Sequence, residues 1–247
     1  MLKKDKLEII RKWYPNANTT IDSVNRLIDF IEERLEMAPS DIMFADSICS
    51  DDVNSIQYPE RAGEFLGPFK MGGLDGFPFT GLTGMSAFAG HVPDNGAVLI
   101  YYGPHIGITR EGVLGEIARL GQHKNSSCCG AAKGALQNLI DNKIKPDNLT
   151  LMDYQMNTIE QILLAGEDRI MGAKNRMFEA NEVIYEAIDK RINYLADHTT
   201  YHCKYMILVG GILINSDPEM GSFTSVKRFD VLELKTKKKQ NMIEYLA

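Results

Sequence analysis

A chain of 247 residues with 44% hydrophobic and 24% charged residues has the make-up of an ordinary globular protein, neither disordered nor fibrous. It is long enough to bury a sizeable core, and one domain over 1–247 is expected. A net charge of -6 argues against nucleic-acid binding, because Lys235-Thr236-Lys237-Lys238-Lys239 is the main cationic run and reads as a solvated tail.

The chain has no 18-residue apolar window, which excludes a membrane helix. Met1-Leu2-Lys3-Lys4-Asp5-Lys6 leads into a helix rather than a signal sequence, so a cytoplasmic location is expected. Residues 1–40 hold two amphipathic helices, from about Lys4 to Trp13 and from about Thr20 to Leu35. The second carries Val24, Leu27, Ile28, Ile31 and Leu35 at helical period.

Segment 41–145 forms the middle of the chain. Asp41 to Ile48 reads as a buried strand ending at Cys49-Ser50-Asp51-Asp52-Val53-Asn54. Gly72-Gly73-Leu74-Asp75-Gly76-Phe77-Pro78-Phe79-Thr80-Gly81 holds too much glycine for a regular element and too many apolar side chains for a solvent loop. It reads as a packed loop that lines something. Thr80 or Thr83 caps a helix through Met85 and Phe88 to His91. Ala97 to Tyr102 is the strongest strand, an unbroken apolar run suited to a parallel sheet buried on both faces. It delivers Gly103-Pro104-His105-Ile106-Gly107-Ile108, followed by a hairpin turn at Glu111-Gly112 and a strand over Val113 to Ala118. A helix then opens at Cys128-Cys129 and runs to about Asp141, where a thiolate would gain from the helix N-terminus.

Segment 146–247 contributes helices over Asn157 to Ala165 and Lys174 to Tyr194, and strands over Tyr205 to Asn215 and Ser225 to Leu234. The order of elements predicts an α/β fold with a central, mostly parallel sheet flanked by helices.

Ligands of such a sheet bind beyond the carboxyl ends of its strands. Cys49, His105 and the pair Cys128/Cys129 all fall at element boundaries of that kind. With Cys203 they account for the four cysteines, which in a reducing compartment read as metal ligands or core residues rather than disulfides. Two thiolates and an imidazole suit Zn²⁺, and three protein ligands leave a fourth position for water. His91 and His123 rival His105, while His198, His202 and Cys203 lack a carboxylate placed as in H-E-x-x-H.

In order, Cys49-Ser50-Asp51-Asp52-Val53-Asn54, Met71 to Phe79, His91 to Gly96, Gly103-Pro104-His105-Ile106-Gly107 and Ser127-Cys128-Cys129-Gly130 resemble the limiting-CO₂-inducible B/C family. That family is treated as θ-class carbonic anhydrases, similar in fold to the β class. The resemblance implies a β-carbonic-anhydrase-like fold, a homodimer, and CO₂ and bicarbonate as substrates. It also implies a zinc-site core over 41–145, with Zn²⁺ held by Cys49, His105 and either Cys129 or Cys128, Cys129 being preferred. Asp51 would accept a hydrogen bond at the site or bind the metal directly. An arginine should hold Asp51; none lies inside the motif, which leaves Arg61 and Arg119 as candidates. Leu74, Phe77 and Phe79 are expected to wall an apolar CO₂ pocket. Two rivals remain: an inactive zinc-containing CO₂- or bicarbonate-responsive scaffold, and a cysteine-nucleophile enzyme using Cys128 or Cys129 with His105 as base.

Overall fold

The computed structural model describes residues 3–54 and 58–246; Met1 and Leu2 of the expected leader into the first helix lie outside them. In chain order the elements are α1 (Lys3–Arg11), β1 (Asn18–Thr19), α2 (Thr20–Arg34), β2 (Ile42–Ser47), β3 (Leu66–Lys70), α3 (Gly81–Gly90), β4 (Ala97–Tyr102) and β5 (His105–Ile108). There follow β6 (Glu116–Ile117), β7 (Ser126–Ser127), α4 (Gly130–Ile140), α5 (Tyr154–Ala165), α6 (Glu167–Gly172), α7 (Arg176–Asp197), β8 (Tyr205–Ser216), β9 (Phe223–Glu233) and β10 (Lys238–Asn241).

The main sheet runs β1-β9-β8-β4-β2-β3, with β5 also on β8 and β10 on β9. Strands β3, β2, β4, β8 and β5 pair in parallel, while β9, β1 and β10 add antiparallel edges. Every residue of β2 and β4 is buried, as expected of strands covered on both faces. The alternation of the pleat splits the core in two. Met43, Ala45, Val98, Ile100 and Tyr102 face α4, α5 and α7, whereas Ile42, Phe44, Leu99 and Tyr101 face α2 and the C-terminal residues. Helix α2 begins where Thr19 accepts a hydrogen bond from the Asp22 N–H. The chain's single tryptophan, Trp13, stacks on Phe178 of α7 and donates to the Gly112 carbonyl.

Several elements depart from the expected pattern. The predicted strand over Val113 to Ala118 shrinks to β6, paired with β7, plus a bridge between Leu114 and Ile108. Part of the lysine run is an edge strand, β10, and Lys239 pairs with Asp230. Helix α5 starts earlier than expected, and β1, β3 and α6 were not anticipated.

The connectivity creates a topological switch point. From β2 the chain crosses to β3 on one side, then returns to β4 on the other, from which it continues towards β8. The connections leaving the carboxyl ends of β2 and β4 therefore run to opposite sides and leave a crevice between them, the usual position for a ligand in an open α/β sheet.

Candidate metal centre

Three polypeptide segments meet in that crevice. Cys49 follows β2, His105 opens β5 just after β4, and Cys129 caps α4. One donor atom from each lies within 4.8 Å of the other two, and all three residues are buried. The glycine-rich loop packs under them. A Cβ on Gly72 would lie 2.2 Å from the Ile48 carbonyl oxygen, and one on Gly76, whose φ is 78°, would lie 2.2 Å from that of Gly103. Only a residue without a side chain lets the loop approach both strand ends so closely.

The imidazole is held in one orientation. Asn215, near the end of β8, donates through Nδ2 to the Val53 carbonyl oxygen at 3.0 Å, which fixes its amide. Its Oδ1 then accepts from His105 Nδ1 at 2.7 Å. The proton is thus on Nδ1, and Nε2 is left buried as an acceptor without a hydrogen-bond partner. A metal-binding histidine is commonly prepared in this way, its far nitrogen donating to an oxygen while the near one faces the ion. Cys128 lies on the Nδ1 side, its Sγ 3.5 Å from that nitrogen and 3.6 Å from Asn215 Oδ1. Cys129, not Cys128, therefore completes the cluster with Cys49.

The protonation pattern points the same way. The Cys49 thiol is pulled down to about 4 by its hydrogen bond with Cys129, against the cost of burial and with help from His105. Cys129 is driven up in turn by Cys49 and by desolvation, so the two thiols compete for one proton. Burial opposes a charged His105, while the neighbouring Cys128 and Cys49 thiols and the Asp75 carboxylate raise it, so negative charge gathers around a ring where a cation could stand in for the proton. Asp75 is pushed up to about 6, chiefly by burial. Acidic groups that cannot all ionise while enclosed together around an unpartnered nitrogen fit a divalent cation, which would take both thiolates and Nε2 at once.

Asp51, two residues past Cys49, has the partner the resemblance required. Arg119 Nη2 reaches both of its carboxylate oxygens, at 3.0 and 2.9 Å, and Nη1 bonds Asp52. Arg61, the other candidate, is engaged elsewhere: it pairs with Asp29 and Glu32 of α2 at 2.7 Å each. Of the residues expected to wall an apolar pocket, Leu74 and Phe77 pack against the core cluster that contains Cys49 and Cys129. Phe77 and Phe79 pack together, Phe79 meets Tyr154, and Leu74 and Phe79 line a groove of about 530 Å³ with Leu151, Met152 and Gln155. The groove that contains Arg119 is a different one, of about 480 Å³, lined also by Asp52, Val53, Ile117, Ala118 and Asn215.

His91 lies against Phe69, and His198 stacks on Tyr194 and bonds its carbonyl. Among the described residues no metal-type cluster other than Cys49, His105 and Cys129 is present. Sequence reasoning missed Asn215 and Asp75. The second lay inside a loop already singled out, where one acid among phenylalanines was itself a signal.

A cysteine–histidine–cysteine cluster at the switch point of a mostly parallel sheet defines an α/β protein of the carbonic-anhydrase-like class. More particularly, the chain belongs to the family of limiting CO2-inducible proteins B/C, beta carbonic anhydrases, which it matches over residues 18–233. It is similar to PtLCIB4, a homolog of the limiting CO2-inducible protein LCIB, at 31% identity over 95% of this chain and 98% of that one, with a TM-score of 0.82. A histidine-to-alanine variant of PtLCIB4 aligns with 97% of this chain and 99% of its own at 30% identity and a TM-score of 0.84. LCIB itself shares the fold, with a TM-score of 0.71 at 17% identity over 94% of this chain and 96% of that one. A comparison with curated proteins finds no match. Among the described residues no helix is long and apolar enough to cross a membrane.

Proposed function

We propose that the protein is a zinc-dependent carbonic anhydrase that reversibly hydrates CO₂ to bicarbonate, with Cys49, His105 and Cys129 as metal ligands. The observation that carries this reading is the enclosed trio of donor atoms within 4.8 Å of one another, two residues from a carboxylate clamped by a guanidinium. Zn²⁺ bound there would supply a Lewis acid, bringing the pKa of water from its bulk value towards about 7. The chain's own groups do the rest. Arg119 grips both oxygens of Asp51, which keeps that carboxylate off the metal and leaves it lone pairs to orient the attacking water. Asn215 holds the imidazole with Nε2 free. Val53, Ile117 and Ala118, which share a groove with Arg119, are proposed as apolar surface for CO₂ alongside Leu74, Phe77 and Phe79.

A cysteine–aspartate motif with no arginine to hold its carboxylate would favour the inactive-scaffold reading. Arg119 fills that place from the segment after β6, so turnover is the better reading. Metal analysis and stopped-flow CO₂ hydration test it. Purified protein should contain one zinc per chain, and Cys49→Ala or His105→Ala should lose both metal and hydration. Absence of zinc, or hydration unaffected by those variants, would overturn the assignment. A homodimer and a cytoplasmic setting belong to the same proposal; light scattering reads the first and cell fractionation the second.

A further inference from the structure

The glycine-rich loop brings a carboxylate, Asp75, into full burial beside the ligands. Its backbone N–H donates to Cys49 Sγ at 3.1 Å, and its Oδ1 accepts the His105 backbone N–H at 3.1 Å. The same Oδ1 lies 4.0 Å from His105 Nε2, while Oδ2 is buried with no partner. The backbone at Asp75 is left-handed, with φ 49° and ψ 26°.

None of this is what a turn alone would select. Glycine or asparagine adopts left-handed backbone more readily than aspartate, and a buried carboxylate oxygen without a partner costs stability. A cation nearby would relieve the second penalty and give a reason to keep an acid here despite the first. We propose that Asp75 is a positioning residue of the metal centre, holding Cys49 and His105 in register and completing the negative charge around the ion. The proposal rests on the reading that Cys49, His105 and Cys129 bind Zn²⁺.

Asp75→Asn and Asp75→Gly separate this role from that of a turn residue. Both tolerate a left-handed backbone, and both keep the N–H that reaches Cys49. The metal-free variants should melt at or above the temperature of the metal-free parent. Their Zn²⁺ affinity, read by competition with a chromophoric chelator, should fall about 10- to 100-fold, the usual effect of losing an outer partner of a metal ligand. The glycine variant, which also frees the His105 N–H, should fall furthest. The Co²⁺-loaded variants should show displaced thiolate-to-metal and ligand-field bands.

Parental affinity and parental Co²⁺ spectra in both variants would overturn the role of Asp75 while leaving the ligand set intact. A lower melting temperature of the metal-free variants with unchanged affinity per folded molecule would overturn it equally, since Asp75 would then serve the turn. If the parent itself binds neither Zn²⁺ nor Co²⁺, the three-ligand reading falls first and carries Asp75 with it.

Discussion

At the scale of the residue, two arginines and one amide distinguish the candidate centre from the surface around it. Arg119 is mostly buried and grips Asp51, whereas Arg61 spreads over two acids on the outer face of α2. Arg119→Ala should therefore lower kcat/KM for CO₂ hydration by about 10- to 100-fold, while Arg61→Ala should stay close to the parent. Stopped-flow measurements on both variants check this contrast. Asn215→Ala removes the oxygen that fixes the imidazole, and its Zn²⁺ affinity should drop by about 10- to 100-fold in chelator competition. Cys49 and His105 were legible in the sequence because each stands within three residues of the end of a strong apolar run and so close to a strand end. Arg119 was legible only as one of two candidate arginines and Asn215 not at all, since long-range pairing across the crevice leaves no local periodicity. Cys128 and Cys129 could be told apart only by which side of the His105 ring each one occupies.

At the scale of the element, legibility follows burial. Strands β2 and β4 and helices α2, α4 and α7 announce themselves because their apolar pattern matches the core they face. Strand β3, with Gly67 and Pro68 inside it and mostly exposed residues, is an edge strand, the one place where a sheet accepts proline. Strand β10 hides in a lysine run for a related reason, as charged side chains protect an edge from pairing with other chains. The loop at Gly72 to Gly76 was recognised as packed, but its apolar residues drew attention from the acid it delivers. Gly76→Ala would push a methyl group against the Gly103 carbonyl oxygen and strain a left-handed backbone. A loss of about 1–3 kcal/mol is expected, read by denaturant unfolding, with metal content falling alongside.

Strand β2 also carries Asp46, which burial raises despite its bond to Lys70 Nζ at 2.6 Å. A carboxyl raised on folding contributes stability below its unfolded value, about 3.9, and loses it as the pH climbs through the folded value. Asp46→Asn removes that decline. Its melting temperature should gain on the parent's between pH 4 and pH 7, in metal-free protein scanned calorimetrically at both.

At the scale of the whole molecule, one sheet holds two hydrophobic cores apart, and the connections after β2 and β4 leave in opposite directions. An ion seated there would join segments around residues 49, 105 and 129, which the chain connects only through long detours. Binding to the folded state alone stabilises it by about 4 kcal/mol at a thousandfold excess over Kd. Removing metal with a chelator should accordingly lower Tm by several degrees, and restoring Zn²⁺ should recover it. Trp13 offers a way to watch how far that tightening spreads. Its indole leans on α7 and on the turn that closes after β5, the strand that begins with His105. Because no other tryptophan competes with it, the emission of this protein is a gauge of the N-terminal helix seen from a single vantage point. A change in colour or lifetime on titrating Zn²⁺ would trace the ion's influence along β5 to the segment that follows the first helix.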